Sequence, residues 1–208
     1  LRQYSFGQLQ QSLSYHPNGT VHTITDGRNQ TTTLTNWYRG IPQAVSRPDR
    51  TTLSAQVSPE GWLTSLTDQN NLTTAYGYDP MGRLNSVSFP AGPDEAYNPK
   101  SISLTQLSAN DAKPEGIVTG QWRLSETRGD YVKTTYLDAL YRPTLTVEAD
   151  STNEAATQRS TRTAYDAEGR VAFQSYAVAG AGSVTQGVRT EYDALGRVTR
   201  VTQDSELG

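Results

Sequence analysis

The sequence predicts an all-β protein made of tandem antiparallel β-hairpins. Three observations carry this prediction: a glycine that returns at a fixed pitch, turn chemistry around that glycine, and strand-type residues between the turns. Gly19, Gly40, Gly61 and Gly82 stand 21 residues apart. Tyr15, Asn36, Val57 and Tyr78 lie four residues before each glycine. Val21, Pro42, Leu63 and Leu84 lie two after, and Ile24, Val45, Leu66 and Val87 five after. Asp26, Arg47 and Asp68 come seven after, and Thr31, Thr52 and Thr73 keep step with them. Ungapped self-similarity at such a pitch is the mark of a repeat architecture.

One unit shows the logic. Thr74 to Tyr78 alternates with period two, as a strand does. Asp79-Pro80-Met81-Gly82 then carries turn chemistry: Asp bonds its own backbone, Pro sets φ, and Gly accepts a positive φ. Arg83 to Val87 returns as the second strand, closing a hairpin with a turn of about four residues. Leu84 and Val87 are three apart. Strict alternation puts them on opposite faces, whereas a bulge brings them to one face, and the sequence leaves both arrangements open.

The second half repeats more loosely. Tyr165-Asp166-Ala167-Glu168-Gly169-Arg170-Val171 and Tyr192-Asp193-Ala194-Leu195-Gly196-Arg197-Val198 match Tyr78-Asp79-Pro80-Met81-Gly82-Arg83-Leu84. Leu137 to Pro143 is a degenerate copy, with Tyr141 in the glycine slot. Asp and Arg recur four apart at Asp79/Arg83, Asp138/Arg142, Asp166/Arg170 and Asp193/Arg197. Across a tight turn this spacing clamps the hairpin mouth, and neighbouring clamps would form a ladder of alternating charge. The expected organisation is one repeat region over 1–208: regular repeats at about 15–89, an insertion at about 90–114, and looser repeats at about 115–208. Pro90, Gly92, Pro93, Pro99 and Pro114 mark the insertion. Within it Ile102 to Leu107 alternates as one strand would. Ala149–Gln158 and Ala177–Gly187 are the expected long loops.

Composition agrees with a thin sheet. Hydrophobic residues make up 34% of the 208, which suits a wall one sheet thick and wet on at least one face. Twelve Tyr and many Thr and Val favour strands. The net charge of −3 leaves no basic footprint for nucleic acid. Fifteen of the eighteen basic residues are Arg, the cation suited to fixed, forked hydrogen bonds. Cysteine is absent, so no disulfide or thiolate site forms. No apolar run is long enough to span a membrane as a helix, and no signal peptide is evident. The start at Leu1 and the stop soon after a repeat has opened lead us to expect a piece of a longer polypeptide.

Chemistry-bearing constellations are sparse. Each turn offers one acid, which suits a turn role better than a calcium loop. His16 and His22 are the only histidines, and six residues apart they make a poor metal site. No phosphate loop, dinucleotide fingerprint or Gly-x-Ser-x-Gly elbow occurs. The expectation is therefore no enzyme and no cofactor. The exposed-aromatic alternative is a glycan- or protein-binding module, with Trp37 and Trp62 as contacts. Trp62 takes the slot that Arg fills in other repeats.

The recurring Tyr-Asp-x-x-Gly-Arg-Leu/Val unit resembles the YD repeat of the RHS family, which includes bacterial Rhs toxins, the C component of insecticidal Tc toxins, wall-associated proteins and teneurins. The residues carrying the resemblance are Tyr78, Asp79, Gly82, Arg83, Asp138, Arg142, Tyr165, Asp166, Gly169, Arg170, Tyr192, Asp193, Gly196 and Arg197. The resemblance implies a curved ribbon wound into part of a spiral β-shell, of which this chain supplies about seven repeats. It implies a secreted or cell-surface protein whose shell encloses a C-terminal effector. Its partners would be the rest of the shell, the enclosed effector and, on the alternative, glycans. Family members cut themselves at a Pro…Asp-Pro-x-Gly-Leu motif, but in this chain Asp79-Pro80-Met81-Gly82 is followed by Arg83 and sits in an ordinary repeat. Free edge strands predict self-association of the fragment.

Overall fold

The computed structural model describes residues 1–91, 97–180 and 185–205. Gly92 and Pro93 of the expected insertion and residues 181–184 of the expected loop Ala177–Gly187 lie outside the described residues. The chain is all-β and antiparallel, as its sequence predicts. It divides into two compact units, Leu1–Pro99 and Lys100–Gly208, with the division inside the stretch read as an insertion.

The first unit contains β1 (Arg2–Ser5), β2 (Gln8–Tyr15), β3 (Val21–Asp26), β4 (Thr31–Tyr38), β5 (Ile41–Ser46), β6 (Thr52–Val57), β7 (Leu63–Thr67), β8 (Thr73–Tyr78) and β9 (Leu84–Ser88). Each pairs antiparallel with the next in the chain. Both connections of the 21-residue period use one turn. The Asp79 N–H donates to the Arg83 carbonyl at 2.9 Å and the Gly82 N–H to the Asp79 carbonyl at 2.9 Å. Gly82 has φ 80°. This is a three-residue hairpin loop with its last residue left-handed. The opposite connection repeats the pair of bonds at Asp26/Gln30, Arg47/Thr51 and Asp68/Leu72, with Asn29, Arg50 and Asn71 as the left-handed residues. Asp26, Arg47 and Asp68 therefore open the second row of turns, a role their phase alone did not reveal. Gly40 departs from the pattern: Arg39-Gly40 is a two-residue turn with φ 50° and 81°.

A bulge settles the two faces. Tyr78 pairs Leu84 and Tyr76 pairs Val87, with the register shift between Gly77 and Tyr78. The extra residue on the return strand puts Leu84 and Val87 on one face. The same shift occurs at Ser14/Tyr15 and Gln56/Val57. One face thus carries Leu13/Ile24, Leu34/Val45, Ala55/Leu66, Val57/Leu63 and Tyr76/Val87 as cross-strand pairs. The other carries Ser14/Thr23, Thr25/Thr31, Thr33/Ser46 and Thr67/Thr73. Its hydroxyls bond one another: Ser14 Oγ to Thr23 Oγ1 at 2.6 Å, and Thr25 to Thr31 and Thr67 to Thr73 at 2.8 Å. None of the described residues of this unit is fully buried.

The second unit contains β10 (Lys100–Gln106), β11 (Trp122–Arg128), β12 (Tyr131–Leu137), β13 (Pro143–Asp150), the one-turn helix α1 (Glu154–Thr157), β14 (Arg159–Tyr165), β15 (Val171–Ser175), β16 (Val178–Ala179), β17 (Gly187–Tyr192) and β18 (Val198–Gln203). Here β16 pairs β14, and β17 pairs both β15 and β18. The expected strand Ile102–Leu107 is β10, an ordinary partner of β11. The turn after it is enlarged but closed by the same bonds: Leu107 N–H to the Gln121 carbonyl and Gly120 N–H to the Leu107 carbonyl, both 2.8 Å. The enlarged turn folds back on the sheet, so Leu107 and Ile117 bury against Tyr136 and Leu145, with Val147 beside them. Asp111 meets Arg123 at 3.6 Å, and Arg162 Nη2 donates to the Glu115 carbonyl at 2.6 Å. The expected loop Ala149–Gln158 holds the end of β13 and α1.

Gly82 and Gly19 allow a stability test. Both are left-handed, which costs an L side chain about 1–2 kcal/mol. A Cβ on Gly82 would also meet Trp62 Cζ2 at 2.8 Å, whereas a Cβ on Gly19 meets nothing within 4 Å. Gly82→Ala is expected to lower the urea midpoint more than Gly19→Ala, and Trp62→Ala in the same chain should narrow that difference.

Candidate functional site

The chemistry of this chain is concentrated in its turns, six of which are built around the carboxylate of Asp26, Asp68, Asp79, Asp138, Asp166 or Asp193. In Asp79, Oδ1 accepts the N–H groups of Met81 and Arg83 at 2.9 and 3.0 Å, and Oδ2 accepts Arg83 Nε at 2.6 Å. Asp138 repeats this with Leu140, Arg142 and Arg142 Nε at 2.9, 2.9 and 2.7 Å. Asp193 does so with Leu195, Arg197 and Arg197 Nε at 2.9, 2.9 and 2.7 Å. Asp166 accepts the Arg170 N–H at 2.8 Å and its Nε at 2.6 Å. The predicted clamps are therefore all formed. Asp26 and Asp68 close the other row of turns with Oδ1 alone, on Arg28 and Gln30 and on Asn70 and Leu72.

Two of the clamps, at Arg142 and Arg170, also reach the next hairpin. The Arg142 guanidinium lies 4.4 Å over the Tyr165 ring, and that of Arg170 lies 4.6 Å over Tyr192. The tyrosines reach back: Tyr165 Oη donates to the Pro143 carbonyl and Tyr192 Oη to the Val171 carbonyl, each at 3.0 Å. Arg170 Nη1 adds a bond to the Asp193 carbonyl at 3.2 Å. The neighbour link is thus a cation over a ring together with a phenol on a carbonyl, rather than the alternating-charge ladder expected from the spacing. The geometry suits arginine, whose planar cation stacks while its edge stays bonded to the carboxylate.

The first unit builds the link with other side chains. Tyr78 Oη donates to the Leu63 carbonyl at 2.8 Å. Trp62, in the arginine slot, lays its indole on the Tyr78 ring at 5.3 Å. Trp37 Nε1 donates to the Val21 carbonyl at 2.8 Å, so an indole replaces the tyrosine. Both proposed glycan-contact residues are half-buried between hairpins. His16 occupies the Asp slot; its Nε2 donates to the Leu34 carbonyl at 3.0 Å and its ring lies 4.3 Å from His22. Tyr141, left-handed at φ 60°, stacks on Trp122 at 5.3 Å. The acceptor carbonyls were not foreseen from the sequence, although Val21, Leu63, Pro143 and Val171 all fall two residues after the phased glycine slot. Among the described residues no group of three or more His, Asp or Glu converges as metal ligands would.

Hydrogen bonding keeps the clamp carboxyls below the ordinary Asp range. For Asp79 and Asp193 the leading cause is the backbone N–H of Arg83 and of Arg197. For Asp138 and Asp166 partial burial pushes upward, and the combined bonds from Arg142 and Arg170 outweigh it. A carboxyl depressed in the folded state contributes stability above its unfolded pKa, about 3.9, and loses it as pH falls through the lower folded value. The thermal midpoint should therefore fall as pH is lowered from 4 toward 2. Asp→Asn at all four positions should shrink that fall, measured by circular dichroism melts between pH 7 and 2. Tyr192→Phe removes one inter-hairpin bond and keeps the ring, so urea unfolding should show a loss of about 0.5–1.5 kcal/mol.

Comparison with known proteins follows the same geometry. A family model described as RHS Repeat matches residues 58–94, a stretch that contains Trp62 and Tyr78 to Leu84. No curated protein sequence matches the chain. The solved complex TcdB2-TccC3 without hypervariable C-terminal region superposes with TM-score 0.53 and 13% identity, over 100% of this chain and 12% of that one. TcdB2-TccC3-Cdc42 gives TM-score 0.47 and 11% identity over 95% and 12%. The Photorhabdus luminescens Tc holotoxin pore gives 0.43 and 9% over 94% and 13%. The chain thus spans only 12–13% of the length of these solved chains. The resemblance to the RHS/YD-repeat family read from the turns is shown at two levels: residues 58–94 match the RHS Repeat model, and the chain is similar in fold to a segment of TcdB2-TccC3.

Proposed function

We propose that this chain is a non-catalytic wall segment of a larger RHS-type shell, secreted or displayed at a cell surface, that encloses the C-terminal region of its own polypeptide. The observation that carries the reading is the hairpin-to-hairpin link. At Arg142/Tyr165 and Arg170/Tyr192 the side chains that define the repeat are used to fasten one hairpin to the next. Such a link extends a ribbon without needing a deep core, which fits a first unit with no fully buried residue among those described. A ribbon that twists as it grows curves into a wall. The structural neighbour is named as lacking a hypervariable C-terminal region, which supports a separable C-terminal part on that protein. By likeness, enclosure of such a part is the role proposed here.

The alternative of a glycan-binding module draws on exposed aromatics. Of its leading contacts, Trp37 spends its N–H and Trp62 its ring on a neighbouring hairpin. That usage favours the wall.

Limited proteolysis of the full natural polypeptide tests the proposal. Sequence downstream of the repeats should be resistant in the intact protein and become sensitive when Asp166→Ala and Arg170→Ala loosen the wall. Equal digestion in both would overturn it. On a glycan array the 208-residue chain should show no saturable binding; binding abolished by Trp62→Ala or Trp37→Ala would establish the alternative instead.

A further inference from the structure

Beside the enlarged turn the second unit holds a recess of about 380 Å³, lined from the turn by Gly116 and Ile117 and from the sheet by Arg142, Arg162 and Phe173 among others. That volume lies in the range of small-molecule sites. Arg162 pairs Leu145, whose side chain is buried under the turn, so Arg162 lies on the turn-covered face. Ala164 and its partner Phe173 share that face. The two arginines of the recess are held differently. Arg142 gives Nε and Nη2 to Asp138, each at 2.7 Å, and its face to the Tyr165 ring. Arg162 has no acidic partner among the described residues. Its Nη2 donates to a neutral group, the Glu115 carbonyl, at 2.6 Å. Its Nε is buried without a hydrogen-bond partner. Nη1 stands beside Gly116, 3.2 Å from where a Cβ would lie there. A cation partly shut off from water and lacking a counter-charge is costly to hold. The hydroxyls of Thr144 and Thr163 do not relieve it, since they bond the Tyr136 carbonyl and Gln174 Oε1.

We propose that this recess is a binding site for an organic monocarboxylate with an apolar body. The carboxylate meets the guanidinium of Arg162 at Nη1, and the body lies against Ile117, Ala164 and the Phe173 ring. A planar guanidinium recognises a planar acid by charge-assisted hydrogen bonds. Water accepts the same protons but leaves the charge unbalanced. Charge sets the ligand class. Arg142 and Asp138 balance one another, so the recess has one positive charge left to match with one negative charge. A phosphate carries nearly two at neutral pH and would bring the excess into a recess that already holds Asp138. The acid is a free small molecule or an acidic side chain of a polypeptide, and the chemistry that recognises it is the same for both. The site uses residues of the second unit alone and does not depend on what a larger wall encloses.

Titration of the 208-residue chain with phenylacetate, followed by NMR at the Arg162 side chain, tests this. The buried Nε–H is shielded from exchange with water and reports on its own guanidinium. Its resonance should shift saturably, together with the amides of Gly116, Ile117 and Phe173. Phenylacetamide, neutral and of the same shape, should bind at least about tenfold more weakly, the loss of a charge-assisted bond. Phenyl phosphate should also bind more weakly than phenylacetate. An acetylated phenylalanyl-glutamate amide carries the same groups on a peptide: if it binds tighter than phenylacetate the acid belongs to a polypeptide, and if weaker to a free small molecule. Arg162→Gln should abolish binding of both acids. Because that change also removes the bond to Glu115, Ala164→Glu serves as a second variant. It keeps Arg162, supplies an internal carboxylate on the same face and should block phenylacetate, with melting curves of both variants as folding controls. No saturable shift at Arg162, equal binding of phenylacetate and phenylacetamide, tighter binding of phenyl phosphate, or binding that survives both folded variants would each overturn the proposal.

Discussion

A single carboxylate organises each clamped turn of this protein. Asp79, Asp138, Asp166 and Asp193 each bond the backbone that curls around them and the arginine that leaves the turn. One oxygen shapes the reversal, and the other aims the guanidinium. Without the second bond a long arginine side chain would sample many rotamers, at a cost of up to about 2 kcal/mol to order it. With it the cation sits flat and ready beside the next hairpin. Local turn chemistry thereby becomes contact between repeats.

That coupling explains how a sheet with little core holds together. A hairpin alone is marginal in water. Here two junctions are fastened by a ring under a cation and a phenol on a carbonyl. The slot tolerates exchange because its task is to cover a ring with a flat group. Trp62 does this over Tyr78 without any charge, and Trp37 replaces the phenol by an indole N–H. Degenerate repeats can therefore lie in the same register as the close matches.

The two units handle their faces differently. In β2 to β9 the strands hold no charge except Asp26 at the end of β3, and one face is apolar while the other is a field of hydroxyls. In the second unit Glu126, Lys133, Glu148 and Arg159 stand opposite one another across four strands, with Lys100 bonded to Glu126. The other face there is covered by the enlarged turn, whose Leu107 and Ile117 supply the buried cluster. An insertion that keeps the closing bonds of an ordinary turn adds a lid to the sheet without disturbing the strand order.

Much of this was legible in the residues. The 21-residue phase, the Asp and Gly of the turns and the four-residue Asp–Arg spacing determined hairpins, their register and their clamps, because all of these are local: turn dihedrals and backbone bonds act over five residues. What lay beyond local chemistry was decided by the tertiary structure. The bulge that brings Leu84 and Val87 to one face appears only when Gly77 pairs Ser86 and Tyr78 pairs Leu84. The second row of turns at Asp26 and Asp68 uses Asn where the first uses Gly, so composition hid their likeness. The partners of Arg142 and Arg170 are rings more than twenty residues away, and the enlarged turn finds its core on strands as distant as β13. Those choices depend on which strands lie side by side, and side-by-side placement is a property of the assembled sheet.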